Sequence, residues 1–282
     1  DNPNHPDIAT SLNNIGLVYS DKGEYENALK IFKQSIEIQK KVYKDNPNHP
    51  DFANSINNIG TVYNKKGEYE KALRNYNEAL EIIKKAYKDN PNHPDIANYL
   101  NNIGYVNYRK GKYEKALRNY NEAVEIKKKT YKNNPNHPDI ATSLNNIGLV
   151  YLDKGEYKNA FKYYNEALDI FKKVHKNNQN HPDIATSLNN IGSVYSNKGE
   201  YENALKFFKQ SIEIRKKIYN NNPNHPDIAS SLNNIGTVYN RKGEYEKALR
   251  NYNEAFEIIK KAYKDNPNHP DIATSLNNIG LV

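Results

Sequence analysis

The sequence contains no cysteine, no methionine and no tryptophan. Without cysteine there is no disulfide framework, no thiolate nucleophile and no cysteine-ligated zinc. No apolar run is long enough to span a bilayer, and the many asparagines include no Asn-x-Ser/Thr glycosylation acceptor. No secretory leader is recognisable. The missing methionine reads as an internal segment of a longer chain, and a cytoplasmic location is the default expectation. Hydrophobic residues make up only 37% of the 282 positions and charged ones 26%, which suits an elongated molecule with a thin core better than a compact globule.

Glycine is scarce too, and its placement decides the fold class. All 13 glycines fall at two positions of a 44-residue period, one running Gly16, Gly60, Gly104, Gly148, Gly192, Gly236, Gly280 and the other Gly23, Gly67, Gly111, Gly155, Gly199, Gly243. His5, His49, His93, His137, His181, His225 and His269 keep the same period. Such self-similarity is the signature of a repeat architecture. The repeats run 1–44, 45–88, 89–132, 133–176, 177–220 and 221–264, with 265–282 opening a seventh, so the expectation is one array over 1–282.

Each repeat reads as two helices. In the first, Asn4/His5 offers an N-cap region, Pro6 suits the first helical position and Asp7 places negative charge in the first turn. Ile8, Leu12, Ile15, Val18 and Tyr19 then recur at helical spacing. Lys22-Gly23 ends this helix A, because glycine takes the left-handed terminal geometry without a Cβ penalty. Helix B carries Tyr25, Ala28, Leu29, Phe32, Ser35, Ile36, Val42 and Tyr43 over about five turns. The proline-bearing linker from Asp45 to Pro50 stops it. Gly16 lies inside helix A, where glycine costs about 1 kcal/mol against alanine, so it predicts close approach of a second helix. One such pair cannot bury its apolar face alone, and at least about three must stack.

The formal charge is +8, with lysines gathered late in helix B, as at Lys40-Lys41, Lys84-Lys85, Lys127-Lys128-Lys129 and Lys260-Lys261. Glu and Asp interleave with them, as Glu37 with Lys41, at a spacing that supports a solvated helix. Cations there also stabilise the negative end of the helix dipole. Nucleic acid is therefore disfavoured as a partner, although a phosphate-driven mode would use the same charges. Each linker histidine sits beside Pro and Asp, one per repeat, and no nearby Cys or second His supplies a metal-ligand cluster. A capping or turn-locking role is expected for them. No phosphate loop, nucleophile elbow or acid–base pair appears, so neither an enzyme nor a cofactor or metal is expected.

These residues resemble the tetratricopeptide repeat. Leu12, Ile15, Gly16 and Tyr19 match the first-helix pattern with Leu in place of Trp. Ala28 and Phe32 match the second, with Tyr76, Tyr120, Tyr164, Phe208 and Tyr252 at the Phe position of later repeats, and Gly23 and Tyr25 fit the turn. The closing Pro is absent at Lys40, and ten extra residues prolong helix B and its linker. The segment from His5 to Ile15 is similar to the longer repeats of kinesin light chains and nephronophthisis-type proteins. The resemblance implies an all-α, right-handed superhelical solenoid of stacked antiparallel helix pairs, whose first helices line a concave groove for a protein or peptide partner.

On that face the resemblance points to an asparagine ladder: Asn13 and Asn14, Asn57 and Asn58, Asn101 and Asn102, Asn145 and Asn146, Asn189 and Asn190, Asn233 and Asn234, continued by Asn277/Asn278. An amide both donates and accepts, so such a ladder can hold the backbone of an extended peptide whatever its side chains. The alternative is that one Asn of each pair caps or bridges neighbouring helices. Sameness weighs little here, because repeats 2 and 6 differ at six positions and repeats 1 and 5 at eight, as recent duplication would leave them.

The positions that differ carry more information. Leu17, Thr61, Tyr105, Leu149, Ser193 and Thr237 vary, as do Asp21, Lys65, Arg109, Asp153, Asn197 and Arg241. Repeat 3 departs most, with Tyr99 for Ser, Asn107 for the core-type Tyr19, and Tyr105 and Tyr108 added. Tyr and Arg are common interface anchors, so Tyr105, Tyr108 and Arg109 are the expected strongest contact site, unless Tyr108 merely replaces the ring lost at 107. A self-stacking array is the alternative function, since residues 1–18 and 265–282 are one sequence and head-to-tail contacts need not close.

Overall fold

A computed structural model describes residues 5–267 and 269–282. Among these residues there are thirteen helices and no strand. The chain divides into two compact units, 1–135 and 136–282. The first holds α1 (Pro6–Asp21), α2 (Tyr25–Val42), α3 (Pro50–Lys65), α4 (Tyr69–Ala86), α5 (Pro94–Arg109) and α6 (Tyr113–Thr130). The second holds α7 (Pro138–Asp153), α8 (Tyr157–Val174), α9 (Pro182–Asn197), α10 (Tyr201–Ile218), α11 (Pro226–Arg241), α12 (Tyr245–Ala262) and α13 (Pro270–Gly280). Odd-numbered helices are the A helices of the repeat and even-numbered ones the B helices. None of them is long and apolar enough to cross a membrane.

The linker histidines start every A helix. In each, the imidazole Nδ1 accepts the backbone N–H two residues on, as His49 does from Asp51 at 3.3 Å, and proline follows at the first helical position. This satisfies one of the orphan amides of the first turn. At the other end Gly23 has φ of 78°, and Glu24 N–H donates to the Tyr19 carbonyl at 2.9 Å, closing the terminal turn that only glycine enters without strain.

The mid-helix glycine meets an aromatic ring of its own repeat. A Cβ on Gly60 would lie 2.8 Å from Tyr76, and one on Gly148 2.7 Å from Tyr164. Removing that Cβ lets helix A sit flat on the ring of helix B. Around this contact the core extends to the next A helix: Ala28, Leu29 and Phe32 of α2 pack with Ile59 and Val62 of α3. Burying one such aliphatic side chain contributes about 1.5–3 kcal/mol.

The apolar face expected in the first helix is not buried there. Ile8, Ile15 and Val18 are exposed, whereas Ile96, Ile103 and Val106, their equivalents in α5, are buried. The cover in α5 comes from the preceding repeat's B helix, where Ala72 and Tyr76 pack with Ile103 and Val106, and no helix among the described residues lies over that face of α1. Neighbouring repeats are further tied by ion pairs. Lys66 Nζ lies 2.6 Å from Glu26 and 2.9 Å from Glu68, and these hydrogen bonds push its pKa up. Glu37 pairs with Lys40 at 2.8 Å rather than with Lys41.

One slot of helix B varies between polar and apolar, and the polar residues there bond to the facing helix A. Ser55 donates to Gln39 Oε1 at 3.0 Å, and Arg215 in the same slot donates to Ser231 Oγ at 2.9 Å and the Asp227 carbonyl at 2.7 Å. Burial pulls the Arg215 pKa down. In α4 and α12 the slot is filled by buried Ile83 and Ile259.

Candidate functional site

Within each unit consecutive A helices touch, α1 with α3 and α3 with α5 in the first, α7 with α9 and α9 with α11 in the second. No pair of B helices makes a comparable contact among the described residues. The A helices therefore line the tighter, inner side of each unit, and that side carries the asparagine pairs.

Those asparagines are half-buried except for exposed Asn14 and Asn277. Several bond to each other across repeats. Asn102 Nδ2 donates to Asn57 Oδ1 at 2.8 Å, and Asn234 Nδ2 to Asn189 Oδ1 at 2.9 Å. The second Asn of one repeat thus reaches the first Asn of the repeat before it. In the first repeat Asn13 Nδ2 instead donates to Ser55 Oγ at 2.9 Å. The bridging alternative accordingly describes part of the ladder. Two positions differ: Asn145 Oδ1 and Asn233 Oδ1 are buried and take no hydrogen bond from the protein.

A cavity of about 280 Å³ opens beside Asn145. Thr142, Asn145, Asn146 and Leu149 of α7 and Thr186 and Asn190 of α9 line it, with Tyr164 and Phe171 of α8 and Asp183 of α9 completing the wall. It offers amide and hydroxyl groups over an aromatic floor. A larger hollow of about 820 Å³ lies elsewhere, lined by Phe256, Lys260, Tyr263 and Ile272. Leu80, at the position of Phe256 in an earlier repeat, packs on Ile103 and Val106 of the following repeat. The larger hollow thus has the apolar character of a surface that in an earlier repeat serves packing between repeats.

In the first unit Tyr105, Tyr108 and Arg109 come together. Arg109 Nη1 donates to Tyr105 Oη at 3.0 Å, and its guanidinium stands 5.6 Å from the Tyr69 ring centre and 5.8 Å from that of Tyr105. The bond to Tyr105 raises the Arg109 pKa. Tyr108 lies 6.3 Å from Tyr105 and 6.2 Å from Tyr113, while Asn107 is buried and donates to the Ile103 carbonyl of its own helix at 3.0 Å. Tyr99 is buried, with its hydroxyl donating to Asn54 at 2.7 Å. Tyr69 and Tyr113 belong to this cluster without having been singled out in the sequence, because the helix-B tyrosine looks like a core residue in every repeat.

Lys65 and Arg241 turn toward the preceding repeat. Lys65 Nζ donates to Ser20 Oγ at 3.1 Å and to Asp21 at 2.9 Å, and Arg241 Nη1 to Ser196 Oγ at 3.1 Å and Asn197 at 3.1 Å. Both also reach a carbonyl at the end of that neighbouring A helix. Each binds the tail of one A helix to the tail of the next.

One linker histidine does have a second histidine beside it. Elsewhere a tyrosine from the end of helix B stacks on the capping histidine, as Tyr43 does on His49 at 3.6 Å between ring centres and as Tyr87, Tyr219 and Tyr263 do on theirs. Its hydroxyl donates to the helix-A aspartate, 2.6 Å for Tyr43 to Asp51. Before α9 that tyrosine is replaced by His175, so a second histidine does stand against His181 and Asp183. Lining the repeats up on the tyrosine would have exposed it.

Family models of the tetratricopeptide repeat match residues 44–129, 131–173, 183–261 and 227–282, and a second model of that repeat matches 8–51. No curated protein matches the sequence. Among solved structures the chain is similar to BtubC (BKLC) from P. vanneervenii, at 22% identity and TM-score 0.67 over 86% of this chain and 92% of that one. It is similar also to the nearly identical TPR-like repeats assigned to a kinesin light chain in Podosopora anserina, at 19% identity and TM-score 0.60 over 76% and 98%. PilF of Pseudomonas aeruginosa aligns at 19% identity and TM-score 0.57 over 95% and 96%. At these identities the likeness is one of fold.

Proposed function

We propose, from the premise that this chain belongs to the tetratricopeptide repeat family, that it is a protein-interaction module holding an extended peptide along the inner faces of its A helices. The observation that carries this reading is the unbonded Asn145 acceptor beside the 280 Å³ cavity. Asn145 Oδ1 is closed off from solvent, so a donor reaches it only when the amide turns toward the cavity, and the bond then made recovers a desolvation cost the fold already carries. A peptide backbone N–H is such a donor, and the Asn146 and Asn190 amides can bond its carbonyls. In the first unit Tyr105, Tyr108 and Arg109 supply the rigid, amphipathic contacts on which side-chain selection rests.

Panning a random-peptide display library over the immobilised chain tests this. Peptides enriched on the wild type should be lost from an N145A/N146A/N190A variant whose circular dichroism is unchanged. Failure to enrich any peptide, or equal capture by the variant, contradicts the reading.

A further inference from the structure

We propose that His175, His181 and Asp183 form a binding site for a borderline divalent metal ion, Zn²⁺ foremost, at the junction of α8 and α9. The three side chains are each half-buried, and their ligand atoms all lie within 4.8 Å of one another. Asp183 Oδ2 is 3.1 Å from His175 Nε2 and 3.3 Å from His181 Nδ1. A tetrahedral ion with bonds of about 2.0–2.1 Å has ligand-to-ligand edges of roughly 3.3–3.4 Å, so two of the three edges already have the right length. Two imidazoles and one carboxylate favour Zn²⁺, Cu²⁺ or Ni²⁺ over Mg²⁺ or Ca²⁺. Three protein ligands leave the fourth position to water.

The site arises from a single exchange within a repeated frame. At the tyrosine junctions the carboxylate accepts a hydrogen bond from the phenol, and a phenol is a poor ligand for such an ion. His175 keeps the ring stack, 3.4 Å between centres and 13° between planes, and places a ligand nitrogen where the phenol oxygen would be. The rings must tilt apart for both lone pairs to face one ion, and the backbone here differs in a way that allows it. Gln179 stands where Pro47, Pro91, Pro223 and Pro267 stand in other linkers. The turn bond from the capping histidine's N–H, made by His49, His93, His225 and His269, gives way to a bond from Asn180 N–H to Asn178 Oδ1. His181 has φ of −105° against −61° at His49. Metal binding would replace one long cap bond, the 3.3 Å contact from Asp183 N–H to His181 Nδ1.

Calorimetric titration of the full chain with ZnSO₄ in chelator-free buffer tests the site, beside H175Y and D183N. H175Y restores the residue of the other repeats, with its stack and its bond to the aspartate, so the metal-free fold is expected to be unchanged. The expected result is one Zn²⁺ per chain, weakened at least about tenfold in both variants, and a Zn²⁺-dependent rise in melting temperature that H175Y lacks. Co²⁺ added to the unaltered chain should give visible absorption of tetrahedral intensity, which reads the site even if a variant misfolds. No saturable Zn²⁺ binding, equal affinity in H175Y, several ions per chain, or a purely octahedral Co²⁺ spectrum would each overturn the proposal.

Discussion

Repeats 2 and 3 in the first unit and repeats 4 and 5 in the second carry the same Asn-Asn-Ile-Gly on their A helices, yet they present different inner faces. In α3 and α5 the amides close on each other, Asn102 onto Asn57, and Tyr105 with Arg109 supplies the exposed chemistry. In α7 and α9 Asn145 keeps an unbonded oxygen next to a cavity walled by Leu149, Thr186 and Tyr164. An identical motif therefore does not make an identical surface. Its neighbours decide whether an amide serves as an internal bridge or keeps an unbonded oxygen.

The largest expected effect comes from the glycine beneath each face. In G148A the new Cβ strikes Tyr164, part of the cavity wall, and in G104A it strikes Tyr120 at 2.8 Å. Each should cost about 1–3 kcal/mol in chemical denaturation, the usual range for overpacking. Peptide affinity should fall in G148A by more than the stability change explains. If G104A and G148A change binding alike, the two faces are not distinct.

Y105A/R109A removes the exposed chemistry of the first unit alone. Partner affinity should drop several-fold while thermal stability moves by about 0.5 kcal/mol or less. Unchanged affinity would mean that the cluster merely repacks the space left by Asn107.

A smaller and pH-dependent effect concerns the tyrosine junctions. Burial, with the hydrogen bond to Asp51, pushes Tyr43 up to about 12, and burial with Asp227 does the same for Tyr219. Unfolded tyrosine ionises near 10, so these contacts stabilise the fold fully below that pH and lose their contribution as pH rises from 10 to about 12. Alkaline denaturation should show this loss, and H175Y should make it slightly steeper by adding another such phenol. A flat stability profile over that range contradicts the assignment.

Much of the fold was legible because its determinants are backbone properties. A period of glycines that need a positive φ or no Cβ, and a Pro after a capping His, locate the helix ends within a residue or so at Pro6, Gly23 and Tyr25. The inner face was legible as a set of positions but not as a set of bonds. Spacing places Asn57 and Asn102 on one face, yet rotamers decide that they satisfy each other. Lys65 and Arg241 look like groove contacts by position, but their long side chains reach back to Ser20 and Ser196. His175 is obscured in the sequence because it falls outside the 44-residue period that the other seven histidines keep.

The most direct test compares the amides themselves, measuring the affinity of a library-selected peptide for N145A/N190A and for N57A/N102A beside the denaturation midpoint of each. N145A/N190A should weaken binding at least about tenfold with little change in midpoint, whereas N57A/N102A should lower stability by about 1 kcal/mol, the worth of one intramolecular hydrogen bond, and leave affinity nearly intact. The reverse pattern, with binding lost in N57A/N102A and kept in N145A/N190A, would contradict the account.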